Sequence, residues 1–181
     1  MRKVVLIPYD AQWDRRYEEE ARLLRSIFGE ELVDIHHIGS TSIAGLAAKP
    51  VIDILPIVKD IERINRFDEM MRAAGYTPKG ENGIPGRRYF QKGGDARTHH
   101  VHVYGKNSPE IKRHLAFRDF LRHQPEEAKQ YGDLKMSLSA RHPFDVGAYI
   151  AGKERFAAEL ESRALKWAED RESDNRADVE R

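Results

Sequence analysis

The chain has 181 residues, of which 40 % are hydrophobic and 34 % charged, with a net charge of +1 at pH 7 and no cysteine. That size suits one domain, with or without a helical extension, and no apolar run reaches membrane-spanning length. Disulfides, thiolate metal sites and cysteine nucleophiles are excluded, and the near-neutral balance argues against a nucleic-acid partner.

The first residues turn polar too soon for a secretion signal, so a cytoplasmic location is expected. Residues 4–9 read as an extended lead-in. Asp10 is a candidate N-cap, and Trp13, Tyr17, Leu24, Ile27 and Phe28 recur at helical spacing up to Gly29. Residues 32–38 read as a strand and 39–45 as a turn. Residues 51–58 are almost continuously apolar, which predicts a central strand ending near Pro56. A helix is predicted over 60–74, closed by Gly75, then a glycine-rich loop over 80–86. Strands over 88–91 and 99–104, around a Lys-Gly-Gly-Asp turn, predict a hairpin.

From Ser108-Pro109 onward the pattern is helical, with further starts at Pro125 and Pro143. Phe117, Phe120, Leu121, Tyr131, Leu134, Leu138, Tyr149, Ile150, Phe156 and Leu160 are the expected core of that half. The chain therefore divides into an α/β core over 1–107, a helical extension over 108–170, and a polar, frayed tail over 171–181.

Asp53 is the most informative position. It sits among Val51, Ile52, Ile54 and Leu55, where a carboxylate costs several kcal/mol, order of magnitude, unless a cation or donors meet it. Either it holds a metal, or Lys49 or Arg88 pairs with it as a structural ion pair. Just before it, Gly39-Ser40-Thr41-Ser42 combines a glycine with amides and hydroxyls. Such a turn suits a phosphate, and it equally suits an ordinary helix cap.

Strand alternation puts His100, His102 and Tyr104 on one face. Two histidines so spaced reach one metal or one phosphate, with Asp53 or His37 as a further ligand, or else merely line a polar surface. Arg87, Arg88 and Lys92 flank Tyr89-Phe90, either as a basic rim for an aromatic base or as a solvated edge. Arg118, Lys135 and Lys153 lie beside apolar helical positions, where cations often snorkel. No P-loop, dinucleotide fingerprint, nucleophile elbow or zinc-protease helix is present.

The stretch His37-Ile-Gly-Ser-Thr-Ser-Ile-Ala-Gly-Leu-Ala-Ala-Lys-Pro-Val-Ile-Asp-Ile resembles the signature of the GrpB family, placed in the nucleotidyltransferase superfamily. Thr98-His-His-Val-His-Val, Phe117-Arg-Asp-Phe-Leu, Tyr131-Gly-Asp-Leu-Lys and 149–153 resemble further landmarks in the same order. The resemblance implies an α+β fold, a small mixed sheet flanked by helices. It implies a nucleotidyl or phosphoryl transferase acting on a nucleoside triphosphate with Mg²⁺ or Mn²⁺, or a degenerate module that only binds a nucleotide or small phosphate. Gly39, Ser40, Thr41, Ser42, Arg88, His100, Arg118, Lys135 and Lys153 are then expected at phosphate. Asp53, His100 and His102 are expected at metal, and Asp53, Lys49 and His102 at the chemistry. Leu55 departs from the pattern, since the superfamily's second carboxylate is expected there. Two-metal transfer needs several carboxylates holding ions about 3.5–4 Å apart.

Overall fold

The computed structural model describes residues 4–179 in backbone and 4–174 in side chain. Five strands form one mixed sheet in the order β1-β2-β5-β4-β3. These are β1 (Leu32–Ile38), β2 (Ile52–Val58), β3 (Tyr76–Pro78), β4 (Arg87–Lys92) and β5 (His99–Gly105). Only β2 and β5 run parallel; the other neighbours are antiparallel. β2 is an interior strand between β1 and β5, with β5 at the centre, and Pro56 lies inside β2, opposite Ile35 of β1, rather than at its end.

One face of the sheet packs on α1 (Gln12–Phe28) through Trp13, Leu24 and Phe28 against Ile52, Ile54, Val101 and Val103. Asp10, the expected N-cap, lies one residue before the N-cap Ala11, and its side chain accepts from the Gln12 amide. Residues 60–74 are helical, as expected, but the first part is a 3₁₀ helix (Ile61–Phe67) and only Asp68–Ala73, α2, is α-helical. The reason is in the spacing. Ile61, Ile64 and Phe67 are three apart, and a three-residue turn puts them in one line against the core. Strand β3 is a three-residue edge with a proline, too short to announce itself in the pattern.

The other face carries Asp53, Leu55, His100, His102 and Tyr104, and it meets a helical layer. That layer consists of α3 (Pro109–His123), α4 (Pro125–Arg141) and α5 (Val146–Val179). Phe120, Leu121, Tyr131 and Leu160 form its own core. Ile150, expected in that core, is 49 % exposed, because the buried stripe of α5 passes through Tyr149 and Phe156 instead. Pro143 does not open α5; its carbonyl accepts from the Val4 amide, and Asp145 accepts from the Ala148 amide at the helix start. The backbone of 171–179 continues α5 where the polar composition predicts fraying, and 180–181 lie outside the described residues. Among the described residues no helix is long and apolar enough to cross a membrane.

Candidate functional site

The parallel register sets Asp53 beside His100, and alternation along β5 adds His102 on the same face. One carboxylate oxygen of Asp53 lies 3.0 Å from His102 Nε2 and 3.4 Å from His100 Nδ1. Arg87 reaches His102 Nδ1 at 3.4 Å. A guanidinium only donates, so His102 Nδ1 accepts and its Nε2–H points at Asp53. Burial alone pushes the Asp53 carboxyl up, but the hydrogen bonds from His100 and His102 outweigh it and hold the group below the usual carboxylate range. The imidazoles meet this carboxylate, and Arg88 does not, being bonded to Asn65 and Glu62. His100 Nε2 is buried with no hydrogen-bond partner.

Asp53, His100 and His102 offer ligand atoms within 4.8 Å of one another, a group able to hold a metal ion. One carboxylate and two imidazoles suit Mn²⁺ or Zn²⁺ better than Mg²⁺, which favours an all-oxygen shell. His37 is not part of the group. Its strand partner is Ile54, so it points to the α1 side. There it stacks on Tyr17 and bonds Thr41 Oγ1 at 2.9 Å, and burial pushes its pKa down to about 4.

The Gly39–Ser42 turn abuts the carboxylate. Gly39 has φ +71°, and a Cβ there would lie 2.7 Å from Asp53 Oδ2. Only glycine lets the turn come this close. Of the three hydroxyls, two are occupied structurally. Thr41 holds His37, and Ser42 donates to the Gly39 carbonyl at 2.6 Å. Ser40 differs: its Oγ accepts from Lys135 Nζ at 2.8 Å.

Lys135 comes from α4 and also donates to the Ala47 carbonyl at 2.8 Å. It lines a cavity of about 340 Å³ together with Ser40, Lys49, Asp53, His100 and Lys153. Burial, followed by the charges of Lys153 and Lys49, pushes the Lys135 pKa down to about 7. Burial lowers that of Lys153 as well. Lys49 Nζ sits 4.4 Å above the Tyr149 ring. Three lysines thus face one aspartate across a single space, so the site favours an anion.

Two expected phosphate ligands lie elsewhere. Arg88 is buried on the α1 face, bonded to Asn65 Oδ1 at 2.9 Å and Glu62 at 3.0 Å. Alternation along β4 turns Arg87, not Arg88, toward His102. Arg87 there covers the Tyr89 ring at 4.7 Å and ties down the 81–86 loop through the Glu81 and Asn82 carbonyls. Arg118 donates to the His37 carbonyl at 3.2 Å and pairs with Asp119, outside the lysine cavity. His114 of α3 escaped the sequence reading altogether. It packs against the His102 and Tyr104 rings, and burial beside Arg113 pushes its pKa down to about 3. A lone histidine on an amphipathic helix gives no signal of the strand it will meet.

Comparison with known proteins bears on the family and the fold. Over 174 residues the chain is 52 % identical to the UPF0157 protein YqkA of Bacillus subtilis, covering 96 % of this chain and 51 % of that one. It therefore spans about half of that relative's length. The crystal structure of conserved protein GrpB from Enterococcus faecalis superposes with a TM-score of 0.88 at 44 % identity, covering 91 % of this chain and 99 % of that one. The Cid1 poly(U) polymerase in its MgGTP-bound structure aligns at a TM-score of 0.50 and 14 % identity, covering 77 % of this chain and 44 % of that one. The last likeness concerns the fold alone, a nucleotidyltransferase-like arrangement of sheet and helices. The family profile described as GrpB protein matches residues 3–163, and with that match the chain belongs to the GrpB family.

Proposed function

We propose that this protein transfers a nucleotidyl or phosphoryl group from a nucleoside triphosphate to a small acceptor at a single-metal site. The observation that carries the reading is the one cavity in which Lys49, Lys135 and Lys153 face Asp53 and His100 beside the Gly39-Ser40 turn. The lysines neutralise phosphate charge, which grows on the leaving group during transfer. The close turn lets the backbone approach the phosphates. Asp53, His100 and His102 would hold the ion, which, when bound, polarises a phosphoryl oxygen as a Lewis acid. Leu55 is 0 % exposed and packs with Ile38 and Tyr104, so this strand offers no second carboxylate and one ion is the natural count.

The test is turnover of purified protein with Mn²⁺ or Zn²⁺ and a nucleotide panel, comparing wild type with Asp53→Asn. Metal-dependent turnover that Asp53→Asn abolishes is the expected result; equal residual turnover in both rejects the reading. Leu55 favours a second reading, a module that binds a nucleotide or phosphate compound without chemistry. In that case ligand raises Tm by mass action while no product forms. A site of this kind belongs with small anionic ligands in the cytoplasm rather than with membranes or nucleic acid.

A further inference from the structure

A second cavity, of about 260 Å³, adjoins the first and shares Ser40, Asp53 and Tyr131 with it. Its remaining wall includes Arg113, His114, Phe117, Ala157 and Glu161. The two spaces differ in charge. The first sets three lysines against Asp53. In the second, the only full cation on the wall, Arg113, is already matched twice, by Glu110 at 2.6 Å and by Glu161 at 3.0 Å. Asp53 borders both spaces; apart from it, the first wall is basic and the second is balanced. Coulombic selection at such close range is strong in partly desolvated sites.

We propose that this second cavity is the acceptor subsite, and that the acceptor is a small hydroxyl- or amine-bearing molecule, neutral or cationic, rather than a phosphate ester. The volume, the space of roughly nine liquid waters, fits a sugar or an amino alcohol. Phe117 and Tyr131 supply an apolar flank, and Glu161 supplies an acceptor for hydroxyl or ammonium protons. This assignment rests on the lysine cavity being the nucleotide side. The acceptor's oxygen or nitrogen forms the new bond to phosphorus as the bond from that phosphorus to the leaving phosphate breaks. The leaving phosphate keeps the electron pair on the lysine side, and the acceptor's proton passes to water.

The experiment is binding, read by ligand-observed NMR and calorimetry on the full chain. The probes are ethanolamine and glucosamine (cationic), glycerol and glucose (neutral), glycerol 3-phosphate (anionic) and pyrophosphate. Wild type is expected to bind at least one cationic or neutral probe saturably, and to do so with pyrophosphate already bound. Ala157→Phe, which fills the second cavity, is expected to remove that probe and leave pyrophosphate affinity unchanged. Glu161→Gln is the conservative second variant. It is expected to weaken the cationic probes roughly tenfold and to spare the neutral ones. Absence of saturable binding by every cationic and neutral probe overturns the proposal, as does competition with pyrophosphate. So does equal loss of both ligand classes in a folded Ala157→Phe. Failure of pyrophosphate to bind, with the amino-alcohol arm intact, instead overturns the nucleotide reading and leaves this cavity's preference standing.

Discussion

One oxygen of Asp53 lies between two imidazoles, 3.0 Å from His102 Nε2 and 3.4 Å from His100 Nδ1. An ion entering here would replace both His–carboxylate contacts, so the proposed metal role makes the three groups one ligand set. Asp53→Asn is expected to abolish Mn²⁺ or Zn²⁺ binding. His102→Ala and His100→Ala are each expected to weaken it by about tenfold or more. Calorimetric titration of metal into the three variants checks this; undiminished affinity in Asp53→Asn removes the metal site.

Gly39 carries the next expectation. Its φ of +71° with ψ of −175° is a region reserved to glycine, and an added Cβ meets Asp53 Oδ2. Gly39→Ala is expected to cost about 1–3 kcal/mol of stability and to displace the carboxylate, lowering metal affinity as well. Urea unfolding and metal titration together separate the two effects. Retention of wild-type stability and metal affinity would show that the turn is not held this tightly.

Lys135 gives the site a pH signature. With its pKa pushed down to about 7 from the usual 10.5, the unfolded chain binds more protons than the folded one between those values. Stability then rises with pH across that window. Lys135→Met lacks this term, so its stability relative to wild type is expected to fall as pH climbs from 7 to 10. Anion binding has the opposite slope. Sulfate, whose own charge is fixed over this range, is expected to bind more tightly below pH 7, and Lys135→Arg is expected to flatten that dependence. Parallel stability curves for Lys135→Met and wild type would contradict the assignment.

Leu55 tests whether a second carboxylate is merely missing or is excluded. It is fully buried with Ile38 and Tyr104. Leu55→Ala is expected to cost about 2–5 kcal/mol. Leu55→Asp is expected to destabilise at least as much, since the new charge enters a closed apolar cluster two residues from Asp53. Thermal melts decide; a stable Leu55→Asp with a second bound ion would restore the two-metal mechanism.

Arg88 and Arg87 separate structure from function by one residue. Arg88→Met removes the bonds to Asn65 and Glu62 and is expected to cost about 1–3 kcal/mol with metal affinity intact. Arg87→Met frees His102 Nδ1 and releases the 81–86 loop, so it is expected to change metal affinity as well as stability. The reverse pattern would mean that the strand face has been misread.

How much of this was legible in the chain varies by kind of signal. The bounds of β1, the apolar run of β2 and the His-x-His alternation are local, and each formed as the pattern dictates. The meeting of Asp53 with His100 and His102 followed from strand parity once β2 and β5 were neighbours. Parity also explains the error at Arg88: a strand predicted one residue short at its start gives no reason to prefer Arg87. Ser42 and Thr41 illustrate a different limit. A hydroxyl in a turn has several partners within reach, and backbone and histidine took two of the three. The place of His114 and the cavity around Glu161 arise from helix packing between distant segments, which no window of sequence contains.

The bond from Lys135 to Ser40 spans 95 positions of sequence, and its consequence concerns assembly. The sheet itself sets Asp53, His100 and His102 together, whereas two of the three lysines, Lys135 and Lys153, join them only when α4 and α5 dock. A chain still emerging from the ribosome thus carries the whole carboxylate–imidazole group before it carries the lysines of α4 and α5.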